Sequence, residues 1–250
     1  VAALDLFEGA VALSVPTTRR QVAARLRMER DLRRALRWGE FSLYYQPVVD
    51  GRCGRVVGAE ALIRWHHPLL GLVKPDQFIP LAEESGLIEP LGRWVLESAC
   101  ETLGNWCRQE LALRLSVNVS ARQCQDPGLV AFLAALMRQH EIPAGFLELE
   151  ITETAMLAEG EAPVAWLEAL RALGVRIAID DFGTGYAGFA YLRRLPVDRL
   201  KIDRAFVHQV SALPRHAAIC RSLLTLAREI GLTVTAEGAE ESADIRVLSD

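Results

Sequence analysis

Residues 147–152 read Leu147-Glu148-Leu149-Glu150-Ile151-Thr152. The apolar side chains of this stretch alternate with polar ones, which is the pattern of a β-strand with one apolar and one polar face. The same alternation recurs around Val117, Ile202 and Val234. In a barrel of parallel strands the outward face packs on helices, whereas the inward face near the carboxyl ends can be polar. The alternation therefore predicts a barrel whose interior carries polar side chains.

The rest of the chain alternates short apolar runs with longer helical patterns, as repeated βα units do. Strands are predicted over Phe41–Val49, Val56–Trp65, Leu113–Val119, Phe146–Thr152, Val175–Asp180, Arg199–Asp203 and Leu232–Glu237. Helices are predicted over Arg19–Trp38, Pro75–Ser85, Leu91–Glu110, Gly128–His140, Ala162–Leu173, Gly188–Leu195 and Arg215–Ile230. In a chain of 250 residues this order predicts an α/β fold with one barrel domain.

The composition is that of a soluble globular domain, with 51% hydrophobic and 24% charged residues. The net charge of −4 disfavours a protein that binds long nucleic acids, because such proteins usually carry excess positive charge. Five cysteines without CxxC spacing disfavour a zinc site and a disulfide framework, so we expect a cytoplasmic location. The apolar runs are shorter than the roughly 18 residues that span a bilayer, so no membrane span is expected.

Several polar residues fall at or near the ends of the predicted strands. A single acid at a strand end is most often a helix N-cap or a turn residue, but repetition over five strands predicts that the acids meet at one mouth. Crowded carboxylates raise one another's pKa unless a cation neutralises them. Oxygen donors suit Mg²⁺ or Mn²⁺, and one or two ions of this kind support attack on a phosphodiester. The residues concerned are Glu60, Asn118, Glu150, Asp180, Asp181 and Glu237.

Three further features belong to the same predicted mouth. Lys201 lies on an inward face, where it holds the attacking water or, alternatively, serves as a structural partner of buried carboxylates. Arg64 follows Glu60 by four residues on one strand face, roughly 13 Å along the groove, a distance that suits a phosphate clamp. The glycine-flanked turn from Asp181 to Tyr186 is a candidate for an active-site loop.

Six motifs in the order found here resemble the EAL domain of bacterial cyclic dimeric GMP (cyclic di-GMP) phosphodiesterases. They are Glu60–Trp65, Ser116–Ser120, Glu148–Glu153, Asp180–Tyr186, Leu200–Asp203 and Ala236–Gly238. The resemblance runs from about Leu32 to the last residue. It implies a modified TIM (β/α)8 barrel with an antiparallel first strand, and hydrolysis of cyclic di-GMP to linear 5′-pGpG with Mg²⁺ or Mn²⁺.

By position, the resemblance also assigns roles to individual residues. It makes Lys201 the residue that orients or deprotonates the water, and Glu153 the acid that steadies the loop from Asp181 to Tyr186. We count both with Glu60 in the catalytic set. The implied substrate contacts are Gln46, Leu62, Arg64 and Glu240, and the implied metal ligands are Glu60, Asn118, Glu150, Asp180, Asp181 and Glu237.

The sequence departs from the family at its carboxyl end. The family continues beyond Ala236–Gly238 into a last strand with a Gln-Gly-Tyr-like motif, whereas this chain stops at Asp250, so we expect the closing strand to be missing. The intact ligand set favours an enzyme. The missing strand favours the alternative, a non-catalytic receptor that binds cyclic di-GMP. A scaffold that binds no nucleotide would require the acidic cluster to be accidental.

The domain organisation and the assembly follow from the same resemblance. Residues 1–30 are expected to lead in from an upstream sensory or GGDEF domain, and residues 31–250 to form the EAL domain. The apolar side chains of Phe189, Tyr191 and Leu192 predict a homodimer through residues 181–195. The alternative is that they pack on their own barrel.

Overall fold

The computed structural model of the chain describes residues 19–156, 162–183, 192 and 195–249. The strands are β1 Phe41–Val49, β2 Val56–His67, β3 Gly71–Val73, β4 Arg114–Val119, β5 Leu147–Thr152, β6 Arg176–Phe182, β7 Arg199–Ile202 and β8 Thr233–Ala236. The helices are α1 Arg19–Trp38, α2 Pro75–Ser85, α3 Ile88–Arg108, α4 Leu129–Gln139, α5 Glu153–Met156, α6 Ala162–Ala172, α7 Arg204–Val207, α8 Pro214–Glu229 and α9 Ser242–Ser249.

The eight strands found in the described residues form one curled sheet, in the order β1-β2-β4-β5-β6-β7-β8, with β3 paired to the carboxyl end of β2. From β2 to β8 the neighbouring strands along this path are parallel. β1 and β3 are antiparallel to β2. The predicted barrel-type α/β fold with an antiparallel first strand is therefore confirmed. The described sheet runs as far as β8, which is followed by α9.

The main core lies between the outward face of the sheet and the surrounding helices. Val117, Leu149 and Ile177, from three neighbouring strands, are fully buried there. They pack in one cluster with Leu133 of α4 and Leu167 of α6. Burial of an aliphatic side chain of this size contributes about 1.5–3 kcal/mol, so this layer fixes the orientation of each strand. The polar residues at the alternate positions must then face the interior of the curl.

A second, smaller core holds α1 against the start of the sheet. Leu32 of α1 is fully buried together with Trp65 of β2 and Phe78 of α2. The rings of Trp65 and Phe78 meet edge to face with centroids 5.7 Å apart. The bounds predicted for α1 are confirmed. No helix in the described ranges combines the length and the apolar character needed to cross a membrane.

The strand that carries Glu60 differs from its prediction. Glu60 was counted among the residues near strand ends and the strand was predicted to stop at Trp65, but β2 continues to His67. The extension exists because β1 pairs with β2 up to Trp65, and β3 pairs with it from Trp65 to His67. Glu60 therefore projects from the middle of a long strand. The helix predicted over Gly188–Leu195 falls largely outside the described residues.

Candidate functional site

The strand register brings the predicted polar residues together at one end of the sheet. Asn118 of β4 pairs in register with Glu150 of β5, and Thr152 of β5 pairs with Asp180 of β6. Lys201 on β7 is paired with Thr235, two residues before Glu237. Because these residues occupy the inward positions of neighbouring parallel strands, their side chains converge.

Lys201 is the centre of this cluster. Its Nζ lies 2.5 Å from Glu150 Oε2 and 2.6 Å from Glu237 Oε1. Asp180 Oδ1 is 3.2 Å away and Glu60 Oε2 is 3.3 Å away. The Lys201 side chain is only 3% exposed. One ammonium group thus joins carboxylates from β2, β5, β6 and the end of β8.

Asn118 and Asp181 complete the predicted set around this centre. Asn118 Nδ2 donates a hydrogen bond of 2.7 Å to Glu60 Oε1, which holds that carboxylate in place. The backbone N–H of Asp181 donates to Asp180 Oδ1 at 3.0 Å. Asp181 has a φ of 54°, in the left-handed region that acidic residues enter more readily than most. The six residues therefore lie near one another, and their role as metal ligands stays a prediction.

Negative charge is in excess at this site, with five carboxylates around a single ammonium group. Burial, and to a smaller extent the neighbouring Glu60 and Asp180, raise the pKa of Glu150 to about 8 although Lys201 opposes the shift. Burial also raises the pKa of Glu237 and, together with Asp180 and Asp203, that of Asp181. Burial by itself would lower the pKa of Lys201, but the surrounding carboxylates outweigh it and hold that pKa above its usual range. Lys201 is therefore a stable cation here.

The donor chemistry of the site fits a hard divalent cation. Every candidate ligand offers a carboxylate or amide oxygen to a metal ion. The excess negative charge of the site also favours binding of a cation. Within the described residues, however, no three acidic, histidine or cysteine side chains are arranged to hold a metal ion. The Lys201 ammonium group offsets part of the negative charge of these carboxylates.

The four predicted substrate contacts occupy two places. Gln46 of β1 is exposed and pairs in register with Glu60, so it lies at the acidic cluster. Leu62 and Arg64 follow along the same β2 strand, and Arg64 Nη1 donates to the Ile63 carbonyl at 2.9 Å. Glu240 follows β8 and is exposed, with Oε1 accepting from Arg204 Nη2 at 2.7 Å. The structure thus brings Gln46 to the cluster, whereas Glu240 binds a surface arginine.

Glu153 connects the cluster to the loop that follows β6. It is the first residue of α5, directly after β5, and is 3% exposed. Its Oε2 accepts a hydrogen bond of 2.9 Å from the backbone N–H of Gly183. This contact fixes the start of the predicted active-site loop, whose remaining residues, from Thr184 to Tyr186, lie outside the described ranges.

Most of the predicted dimer segment lies outside the described ranges. Phe189 and Tyr191 lie outside the described residues. Leu192 is described, and it is 4% exposed within the core of its own chain. The homodimer through residues 181–195 remains a prediction.

Sequence reasoning missed a second polar cluster inside the sheet. Arg114, Arg176 and Arg199 occupy positions on β4, β6 and β7 that have the same parity as Asn118, Asp180 and Lys201. They therefore share the inward face, at the opposite end of the strands. The alternation that located the acids could have located these arginines, but the charges at strand starts resembled ordinary solvated residues.

Comparison with known proteins places the chain among close relatives. Residues 29–250 match the family model described as EAL domain. The chain is 41% identical over 225 residues to the bifunctional diguanylate cyclase/cyclic di-GMP phosphodiesterase MucR of Pseudomonas aeruginosa, covering 90% of this chain and 33% of that protein. It is 42% identical over 226 residues to the cyclic di-GMP phosphodiesterase NbdA of the same organism, covering 90% of this chain and 29% of that protein.

A solved structure described as PaMucR phosphodiesterase, c-di-GMP complex, has the same fold with a TM-score of 0.84. It is 40% identical in sequence and covers 89% of this chain and 91% of that chain. The EAL domain of FimX from Pseudomonas aeruginosa, bound to c-di-GMP, matches with a TM-score of 0.81 at 26% identity, covering 89% of each chain. The chain spans about a third of the length of the two curated relatives.

Proposed function

The chain belongs to the EAL domain family, and on that premise we propose that it is a metal-dependent phosphodiesterase that hydrolyses cyclic di-GMP to linear 5′-pGpG. The observation that carries the proposal is the complete acidic site. Glu60, Glu150, Asp180 and Glu237 all lie within 3.3 Å of Lys201 Nζ, and Asn118 bonds to Glu60. The curated relatives MucR and NbdA are named as cyclic di-GMP phosphodiesterases, which supports the same activity here.

The substrate would lie along β2 and its antiparallel neighbour β1. Gln46 faces Glu60 across the β1–β2 pair and offers an amide to a guanine or a ribose. Arg64 lies further along β2, half-buried, with one guanidinium nitrogen bonded to the Ile63 carbonyl. Its remaining N–H groups suit a phosphate oxygen. The two residues would therefore hold the nucleotide so that one phosphate reaches the acidic cluster.

The residues that would hold Mg²⁺ or Mn²⁺ are the oxygen donors of the cluster. A bound divalent ion would supply charge neutralisation at the phosphoryl oxygens and a lowered pKa for the attacking water. Those donors are Glu60, Asn118, Glu150, Asp180, Asp181 and Glu237.

The proposed reaction breaks one of the two phosphodiester links of the ring. The water oxygen forms a bond to phosphorus, the bond from phosphorus to the 3′ oxygen breaks, and that oxygen takes up a proton. The product carries a 5′ phosphate at one end and a 3′ hydroxyl at the other.

Lys201 would act in this reaction as a hydrogen-bond donor and a fixed positive charge. The carboxylates that contact Lys201 hold its pKa above its usual range, which favours a role as a hydrogen-bond donor over a role as a base. Near the reacting phosphate the ammonium group would orient the water and stabilise the charge that develops on the phosphoryl oxygens. Glu153 would be a positioning residue, acting through the Gly183 N–H and the loop that begins there.

Turnover of cyclic di-GMP tests the proposal directly. The chain is incubated with cyclic di-GMP and Mg²⁺ or Mn²⁺, and the products are separated by chromatography. We expect linear 5′-pGpG from the wild type and none from Glu60→Gln. Glu97→Gln, an exposed residue on α3, serves as a charge-matched control and should keep the wild-type rate.

A calorimetric titration with cyclic di-GMP separates the enzyme from the receptor alternative. If the wild type binds cyclic di-GMP and yields no linear product with either metal, the enzyme proposal is wrong and the receptor is supported. If it neither binds nor hydrolyses the nucleotide, both are wrong.

A further inference from the structure

Three arginines line the interior of the sheet at the end opposite to the acidic cluster. Arg199 precedes Lys201 by two positions on β7. Arg176 precedes Asp180 by four positions on β6, and Arg114 precedes Asn118 by four on β4. Even spacing keeps each pair on one face of its strand, roughly 7–13 Å apart. We call these three residues and Glu148 of β5 the arginine end.

Among the described residues, Glu148 is the acid that Arg176 and Arg199 share. Its Oε2 lies 3.4 Å from Arg176 Nε and 3.2 Å from Arg199 Nε, and its side chain is 4% exposed. The other nearby acid, Asp198, is engaged elsewhere: its Oδ1 lies 3.3 Å from Arg171 Nη2, and its Oδ2 accepts from the Ile177 N–H at 2.9 Å. The arginine end therefore carries three guanidinium groups against one carboxylate, an excess of two positive charges.

Part of the donor capacity of the arginine end is unused. Arg199 Nη1 donates to Thr235 Oγ1 at 2.8 Å, but Arg199 Nε is fully buried and makes no hydrogen bond, since its approach to Glu148 lacks the alignment of one. The described residues give the Arg114 side chain no hydrogen bond and no contact ion pair, although the charge of Glu148 acts on it and opposes the lowering of its pKa. Burial, and then the charges of Arg199 and Arg176, lower the pKa of Arg114. A buried N–H donor without a hydrogen bond, or a buried charge without a counterion, destabilises the folded state.

We propose that the arginine end binds a small tetrahedral oxyanion of the inorganic phosphate class. The negative charge of such an anion offsets the excess positive charge of the arginines. Its oxygens accept hydrogen bonds from the paired N–H groups of a guanidinium group. Arg114 is half-buried and the Arg176 side chain is 27% exposed, so solvent reaches the cluster. The arginine end lies at the opposite end of the strands from the acidic cluster and carries the opposite charge. Anion binding at the arginine end is therefore independent of the proposed hydrolysis.

Calorimetric titration of the whole chain with inorganic phosphate tests the proposal. EDTA is present, so that metal held at the acidic cluster cannot capture the phosphate, and sodium chloride keeps the ionic strength constant. We expect saturable binding of one phosphate per chain. Arg114→Gln and Arg176→Gln should each weaken it at least tenfold, because each removes a charged donor. Arg138→Gln, an exposed residue on α4, is the matched control and should change the affinity less than twofold.

Two further variants make the outcome decisive. Arg114→Gln removes an unpaired cation, so without phosphate it should melt at or above the wild-type temperature, which shows that lost binding is not lost folding. Glu60→Gln disables the proposed active site and should bind phosphate like the wild type. The proposal is overturned if the wild type shows no saturable binding, if Arg138→Gln weakens binding as much as Arg114→Gln, or if only Glu60→Gln alters it.

Discussion

Removal of the Lys201 side chain would leave four neighbouring carboxylates without the cation that they contact. Its ammonium group contacts four carboxylates and is nearly inaccessible to solvent. In EDTA at pH 8 we expect Lys201→Met to lower the free energy of unfolding by about 3–5 kcal/mol, the usual cost of leaving buried charges without their partner. Urea denaturation measures this loss, and Mn²⁺ should restore part of it because an added cation replaces the missing charge.

Lys74→Met is the matched control for this prediction, since Lys74 is exposed before α2. It should change the free energy of unfolding by less than about 0.5 kcal/mol. If Lys201→Met were as stable as the wild type in EDTA, the ammonium group would not be what holds the carboxylates together.

The cysteines differ sharply in their environment, and this predicts their reactivity. Cys53 is exposed in the turn between β1 and β2. Burial raises the pKa of the Cys100 thiol to about 12, and that of Cys124 to about 12. Because the thiolate is the reactive form, a disulfide reagent at pH 8 should label one thiol quickly in the folded chain. Cys53→Ser should remove that fast phase, and a fast phase that survives the substitution would contradict the assignment.

Sequence reasoning located the acidic residues because strand alternation has a simple consequence. Glu150 and Asp180 were placed on inward faces by parity alone, and both lie there. Lys201 was also placed on an inward face, with a role as partner of buried carboxylates left open, and it contacts such carboxylates. That it contacts four of them could not be predicted, because this depends on how the strands curl toward one another. The pairing of Glu240 with Arg204 is likewise a contact between a loop and α7 that no periodicity encodes.

At the scale of elements, the close approach of α3 to the end of α4 depends on Gly104. A Cβ at this position would lie 2.7 Å from the backbone oxygen of His140 and 2.9 Å from its Cβ. Alanine gains up to about 1 kcal/mol over glycine in a helix, but overpacking against backbone costs about 1–3 kcal/mol. We therefore expect Gly104→Ala to lower the free energy of unfolding by about 1–2 kcal/mol in urea denaturation.

Glu101→Ala on the same helix is the control, because Glu101 is exposed. It should be close to neutral. A Gly104→Ala protein at least as stable as the wild type would mean that α3 and α4 can separate without cost.

The elements themselves were predicted to different degrees. β1, α1 and α2 have the predicted bounds, because each is long and ends at a clear change of pattern. The three-residue β3 and the four-residue helices α5 and α7 were missed, since so few residues give no period to recognise. The length of β2 depends on its pairing with β1 and β3, and the sequence of β2 alone does not reveal these partners.

At the scale of the whole molecule, the interior of the sheet has opposite excess charge at its two ends. The acidic end has five carboxylates against Lys201, and the arginine end has three guanidinium groups against Glu148. The outer face carries apolar side chains that pack against the helices in the main core. Burial of these apolar side chains offsets the destabilising charge at the two ends. A cation bound at the acidic end, or an anion bound at the arginine end, should stabilise the fold further.

This charge arrangement makes the stability of the metal-free chain depend on pH in a defined direction. The pKa of Glu150 rises from 4.5 to about 8 in the folded chain. The folded state then binds more protons than the unfolded state between these values, so stability falls as pH rises from about 5 to 8. In EDTA we expect Tm to decrease across this range, as measured by differential scanning calorimetry. Glu150→Gln should flatten the decrease.

With saturating Mn²⁺ the same measurement should show little dependence on pH, because the bound ion keeps Glu150 deprotonated in the folded chain, as it already is in the unfolded chain above about pH 5. The ligands must be deprotonated to bind the ion, so binding and the stabilisation it gives strengthen as pH rises. An ion at 100 times its Kd adds about 2.7 kcal/mol, which corresponds to roughly 5–11 °C in Tm for a domain of this size. The Tm difference between Mn²⁺ and EDTA should therefore widen toward pH 8. If it were constant from pH 5 to 8, or equally large in Glu60→Gln, the ion would be binding away from these carboxylates.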